Sequence, residues 1–261
     1  MPEEKKNNIW MAISIIIAGA LIAAALIFTR GDSTGGSSTN YQMLYSKYVS
    51  EVNSRIIGVF KTFFENQETS PIAADITKIP QPNENDHIVG NLNAKVVIVE
   101  YSDTECPYCA ILHETLKELT EEYGDKIAWI YRPLPLPTLH KKAILEAHAA
   151  ECVAEIGGNE KFWEYLNTIY NITTSNDGLD INELPRIAES IGIDLEKFDE
   201  CNVEQRYVSK IEGVYNDVLQ ATAGNFGTPF SLVVSDGTGQ TVSGAQPKEE
   251  WQFMINTLLG E

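Results

Sequence analysis

Val96-Val97-Ile98-Val99-Glu100-Tyr101-Ser102-Asp103-Thr104-Glu105-Cys106-Pro107-Tyr108-Cys109 is the stretch whose reading decides the fold. Its opening β-branched run, interrupted by a single acid, has the pattern of a strand buried on both faces, which predicts a central position in a sheet. Downstream, Ile111, Leu112, Leu116 and Leu119 recur at helical spacing as far as Tyr123-Gly124, and Ile127-Ala128-Trp129-Ile130-Tyr131 reads as a second strand. Together they make a β-α-β unit with a right-handed crossover.

Cys106 then sits where the buried strand hands over to the helix. Unpaired amide N–H groups and the helix dipole favour an anion there, so its thiol is predicted to ionise more readily than a free one. Pro107 sacrifices no hydrogen bond in a first turn. Cys109, one turn on, is placed to resolve a mixed disulfide formed at Cys106. Two other readings compete: half of a zinc site, for which only His113 stands near, and a permanent disulfide across one helical turn, which is geometrically tight. A CxxC directly after a buried strand and before a helix favours the redox pair, and no metal site is expected.

Outward from this unit, residues 140–222 are predominantly helical in pattern, with periodic stretches over Ala143 to Ile156, Lys161 to Tyr170, Ile181 to Ile191 and Val203 to Leu219. Gly227-Thr228-Pro229 precedes a hairpin, Phe230 to Val234 and Gln240 to Val242 around Asp236-Gly237, and a last helix runs from Lys248 to Leu259. On the other side, residues 71–85 read as an irregular connection rich in Pro and Asn, and residues 41–66 as an amphipathic helix with Leu44, Tyr48, Val52, Ile56, Val59, Phe60 and Phe63 on one stripe. Residues 29–40 are a Gly/Ser-type tether.

From Ile9 to Phe28 the chain carries no charge, which is long enough as a helix to cross about 30 Å of hydrocarbon. A cleaved export signal competes, with small residues at Ala23-Ala24-Ala25, but the apolar run exceeds the usual ~7–15 residues. Lys5 and Lys6 favour a cytoplasmic N-terminus (residues 1–8), placing everything after Arg30 outside the cytoplasm. The whole chain has 261 residues, 43% of them apolar and 21% charged, which suits one globular domain plus appendages. With 19 Lys and Arg against 37 Asp and Glu the formal charge is -18, which argues against nucleic acid and anionic lipid headgroups as partners.

On Gly90 to Lys95 leading into Val96 to Asp103, Glu105 to Cys109, Ala150-Glu151-Cys152, Lys161 to Glu164 and Gly227-Thr228-Pro229, the chain resembles the thioredoxin superfamily, and more closely its DsbA-like thiol-disulfide oxidoreductases. The resemblance spans roughly residues 85–260 and implies an α/β thioredoxin fold (residues 86–139 and 223–261) with an inserted helical domain (140–222), here preceded by a transmembrane helix. The 98 positions from Tyr131 to Pro229 leave room for that insertion.

The resemblance also implies a cis peptide bond at Pro229, with Thr228 and Pro229 contacting bound polypeptide, and a proton-transfer role for Glu100, six positions before Cys106. A carboxyl group in an apolar strand should have a raised pKa; a rim-exposed Glu is the bland alternative. Pro107-Tyr108 differs from the Pro-His of strongly oxidising members, and a tyrosine adds no positive charge, so a less depressed Cys106 is expected. Cys152 and Cys201 lie in two helices of the insertion, where relatives carry cysteines in similar contexts. A structural disulfide between them suits an oxidising compartment, with a second redox pair as the rival.

His140 and His148, eight positions apart, are placed on one helical face as solvated or core residues. Phe162, Trp163 and Tyr165 read as core, and Asn171-Ile172-Thr173 as a surface sequon. The implied activity is disulfide exchange with exported, cysteine-containing polypeptides, most simply as an oxidase recycled by a membrane redox partner, with the Cys106-Cys109 pair serving in place of a cofactor. A reductase or isomerase, and a non-catalytic polypeptide-binding module, are the alternatives. Nothing in the sequence specifies an oligomeric state.

Overall fold

The computed structural model describes residues 74–261. The predicted anchor at 9–28, its flanks at 1–8 and 29–40, and the amphipathic helix at 41–66 lie outside the described residues. Among those described, no helix is long and apolar enough to cross a membrane.

Five strands form one sheet: β1 (His87–Val89), β2 (Val96–Ser102), β3 (Ile127–Pro133), β4 (Phe230–Ser235) and β5 (Thr238–Ser243), in the order β1-β3-β2-β4-β5. The β-branched run is therefore the central strand. It pairs parallel with β3, Val96 opposite Ile127 and Glu100 opposite Tyr131, and antiparallel with β4, Glu100 opposite Ser231. All seven residues of β2 and of β3 are buried, because both faces are covered.

Alternation along β2 sorts its side chains. Val96 and Ile98 face α1 (Pro107–Tyr123), α2 (Ala143–Ile172) and α6 (Lys248–Leu259), packing with Leu112, Leu116, Phe162, Trp163 and Trp251. Val97, Val99 and Tyr101 face the other way, toward Val218 and Ala221 of α5 (Val208–Ala221). Glu100 shares the parity of Val96 and Ile98, so the one acid of the run points into the α1/α2 side.

Two short helices, α3 (Glu183–Ser190) and α4 (Leu195–Glu204), pack on α2 with Leu184, Ile187, Ala188 and Phe198. Cys152 of α2 is disulfide-bonded to Cys201 of α4, with their Cα atoms 5.9 Å apart. The β4-β5 turn puts Asp236 at φ 49° and Gly237 at φ 76°, the two positive values that a tight hairpin of this hand requires.

Several details differ from the sequence expectation. The two helices expected over 143–156 and 161–170 are one run, Ala143–Ile172, broken at Gly158 with φ 78° and ψ -174°. The helix expected from Val203 to Leu219 is interrupted at Gln205, whose φ of 53° ends α4. Val203 accordingly stands 82% exposed at the end of α4, outside α5. Strand β1 falls in the approach to the first predicted strand. Gly90 closes it at φ +92°, and a Cβ there would lie 2.8 Å from the Ile127 carbonyl oxygen.

Candidate active site

Cys106 occupies the N-cap of α1 in extended backbone (φ -84°, ψ 121°), and Pro107 is the first helical residue. Its carbonyl starts the helix by accepting from the N–H groups of Cys109 (3.0 Å) and Ala110 (3.2 Å). The two cysteines are free thiols with unlike surroundings: Cys106 is 5% exposed, whereas Cys109 has no accessible surface at all. Between them Tyr108 stands 61% exposed. The loop before β4 closes on the pair, with a cis Thr228-Pro229 bond and the Cys106 Sγ 3.4 Å from the Thr228 carbonyl oxygen.

These surroundings push the thiols in opposite directions. The hydrogen bond with the Cys109 thiol lowers the Cys106 pKa to about 6, helped by the Cys109 and Tyr108 backbone N–H groups and the Thr228 side chain against the cost of burial. Burial raises Cys109 well above the usual thiol range, and its bond to Cys106 and the charges of Cys106 and Glu100 raise it further. The arrangement supplies a ready thiolate in front and a reserve thiol behind.

Glu100 is fully buried, which excludes the rim-exposed alternative. Its Oε1 accepts from the Ser102 hydroxyl (2.6 Å) and its Oε2 from the Trp129 indole N–H (2.9 Å). Burial raises its pKa to about 7 despite those two bonds, and the nearby Cys106 charge adds to the rise. Beyond it, the Ser102 hydroxyl lies 3.1 Å from the Tyr170 hydroxyl, itself 3.4 Å from that of Tyr131. Burial drives both tyrosines well above their usual pKa, so Glu100 is the member of this chain able to exchange a proton near neutral pH.

Three more carboxylates surround the turn. Asp103 accepts from the backbone N–H groups of Glu105 and Leu136 and contacts His140. Glu105 accepts from the N–H groups of Gly178 (3.0 Å) and Leu179 (3.2 Å) and acts on the neighbouring Glu146. Glu146 Oε2 accepts from the Thr104 hydroxyl at 2.6 Å, while buried Oε1 meets no donor. Glu146 is raised to about 8, first by burial and next by the neighbouring Glu105 carboxyl.

The sequence reading passed over Asp103, Glu105 and Glu146. The first two stand in the stretch quoted at the outset, where acids beside a buried strand and a helix start were the available signal. His140 precedes α2, whereas His148 lies within it and contacts Asn202 and the Tyr207 N–H; the two do not share a helical face. His113 is buried against Trp129 and Tyr170, bonded to Asn167, and lowered to about 4 by burial. Among the described residues no group of His, Cys, Asp and Glu could hold a metal ion. Phe162, Trp163 and Tyr165 are buried in the core, and Asn171 is exposed.

Comparison with known proteins adds three findings. A family profile described as Thioredoxin matches residues 82–257. Among curated proteins, the chain is 32% identical over 165 residues to "Na(+)/H(+) antiporter NhaA 1" of Mycolicibacterium vanbaalenii, covering 63% of this chain and 25% of that protein. It is 35% identical over 133 residues to "Na(+)/H(+) antiporter NhaA 3" of Salinispora tropica, covering 51% and 19%. The chain thus spans about a quarter or less of the length of these relatives. Among solved structures, Wolbachia pipientis alpha-DsbA1 aligns with a TM-score of 0.60 at 20% identity, over 70% of this chain and 95% of that one. Pseudomonas aeruginosa DsbA2 aligns at 0.56 and 23% identity, over 69% and 97%. At such identities the likeness is one of fold.

Proposed function

The chain belongs to the thioredoxin family, and on that premise we propose that it is a membrane-anchored, extracytoplasmic thiol-disulfide oxidoreductase that forms disulfides in exported polypeptides. The observation that carries the reading is the asymmetry of one cysteine pair: Cys106 at a helix N-terminus with its pKa lowered, and Cys109 buried behind it with its pKa raised. The fold of the DsbA structures supports it, and the uncharged run of sequence at residues 9–28 supports the anchoring.

In the oxidised enzyme a substrate thiolate attacks Cys106 Sγ. A substrate-Cys106 disulfide forms, the Cys106-Cys109 bond breaks, and the departing Cys109 thiolate takes up a proton carried by Glu100. The second substrate thiol then loses its proton and attacks the first substrate sulfur, releasing Cys106 as a thiolate. Two electrons pass from the substrate dithiol to the cysteine pair, and a membrane redox partner removes them; the pair itself is the only redox group the cycle requires. Thr228 and Pro229, beside Cys106, contact the substrate backbone, and Cys152-Cys201 is structural.

At about 6, Cys106 lies between the roughly 7 of thioredoxin and the roughly 3.5 of DsbA. A lower nucleophile pKa stabilises the dithiol form and makes its disulfide the stronger oxidant. Equilibration of the protein with glutathione tests the direction. A potential well above that of thioredoxin (roughly -270 mV) is expected, and a value at or below it overturns the oxidase in favour of a reductase. Oxidation of a dithiol peptide should vanish in Cys106→Ser; undiminished turnover would instead favour a polypeptide-binding module.

A further inference from the structure

One buried carboxylate ties the turn that delivers Cys106 to the segment after β3. Asp103 Oδ1 accepts from the Glu105 N–H (2.9 Å), its Oδ2 accepts from the Leu136 N–H (2.8 Å) and meets His140 Nδ1 (2.9 Å), and its carbonyl accepts from the Cys106 N–H (3.0 Å). Both side chains of the Asp103-His140 pair are almost entirely buried. Because a carboxylate only accepts, Nδ1 is the donor, and a second proton on Nε2 turns the ring into a cation.

Three acidic groups act on this ring and favour the cation: Asp103 from the turn before α1, Cys106 at the head of α1, and Asp177 from the loop after α2. Together they raise the His140 pKa, although burial works the other way. Lys142 is occupied with the Asp177 and Leu179 carbonyl oxygens. The dipeptide between the cysteines, Pro107-Tyr108, supplies no positive charge of its own.

We propose that His140, fixed by Asp103, is a positioning residue that sets the reactivity of Cys106 by holding an imidazolium against its thiolate, a charge delivered from the β3-α2 connection instead of from within the CxxC motif. The proposal rests on Cys106 being the nucleophile. It assigns the Asp103 carboxylate two tasks, shaping the turn and keeping the ring oriented and protonated. By reciprocity, ionisation of Cys106 and protonation of His140 must each promote the other to the same degree.

The test uses the reduced full-length chain. Iodoacetamide labelling of Cys106 as a function of pH should show an apparent thiolate pKa displaced upward in His140→Gln. The labelling rate near about pH 5.5 then falls several-fold, while the rate near about pH 9, where both proteins are fully thiolate, is unchanged. His140→Lys should restore much of the low-pH rate. A His140→Gln profile superimposable on the wild type overturns the proposal, as does equal loss in the Gln and Lys variants.

Should either variant fail to fold, NMR titration of the His140 ring in unmodified protein and in Cys106→Ser keeps the question open to refutation. The His140 pKa is expected to drop when the thiolate is removed, and identical titrations overturn the coupling. A wild-type Cys106 that labels no faster at low pH than an ordinary thiol would instead refute the nucleophile assignment beneath it.

Discussion

Glu100→Gln isolates the energetic consequence of placing an acid in the central strand. Glu100 is fully buried with only two donors, and its pKa rises from 4.5 to about 7. Below pH 4.5 the carboxyl is protonated in both folded and unfolded chains. As pH climbs toward 7 the unfolded chain releases the proton while the folded chain keeps it, so stability falls through this window and levels off above pH 7. At 1.36 kcal/mol per pH unit the loss is on the order of 3 kcal/mol. The amide keeps an acceptor for the Trp129 N–H and carries no charge, so the variant escapes the loss. Urea unfolding of the reduced proteins near about pH 4 and about pH 8.5 should show similar stability at the acid end. At the alkaline end Glu100→Gln should lead by roughly 3 kcal/mol, about a hundredfold or more in the unfolding constant. Parallel pH profiles would mean that the folded carboxyl ionises as freely as the unfolded one, which would also remove its qualification as a proton carrier.

Two further changes probe the surroundings of the site. Replacing both Cys152 and Cys201 by Ala opens a bridge between residues 49 positions apart, which the loop-entropy model values at about 4 kcal/mol; denaturant unfolding should show a loss of that order. Dithiol-peptide oxidation at low temperature should persist, and its abolition in a folded double variant would reveal a second redox pair. Glu146→Gln carries no charge and retains an acceptor for Thr104, so the fall in stability as pH rises from 4.5 through about 8 should flatten in the variant; an unchanged slope of thermal midpoint against pH refutes the raised Glu146 carboxyl.

The parts of this molecule legible in its sequence are those where a local pattern and its cause coincide. Val96 to Tyr101 is apolar because it is covered on both faces, and Pro107 follows Cys106 because a helix begins there, so strand, turn and cysteine pair could be read together. Strand β1 has three residues, too few for any periodicity, and is held by pairing with β3. Gln205 ends a helix in a conformation usually reserved for Gly or Asn, so the apolar period seemed to run past it. The carboxyl network was hidden for a different reason: Glu105 meets Glu146, 41 positions away, and Asp103 meets His140, 37 positions away. Such pairs exist only once the insertion has closed over the turn.

What separates the two cysteines is position alone, since they belong to one tetrapeptide. Helical geometry turns three residues of separation into one turn of depth, so Cys106 stays at the mouth while Cys109 is driven into the packing between α1 and the sheet. There it meets the Asp103 N–H at 3.4 Å and the field of Glu100. Negative charge on Cys106 raises both Cys109 and Glu100, and Glu100 raises Cys109 in turn. The three groups therefore compete for charge inside one small, poorly solvated volume, and a single negative charge is most easily carried by the member nearest water, where the Cys109 and Tyr108 amide N–H groups stabilise it. In the proposed cycle reduction adds two electrons to the pair and brings in at least one proton, and the competition favours that proton on Cys109, with Glu100 as its proposed carrier. Because Glu100, unlike the Tyr131 and Tyr170 hydroxyls linked to it, exchanges protons near neutrality, removing it should slow the step in which Cys109 is protonated and leave the attack at Cys106 intact.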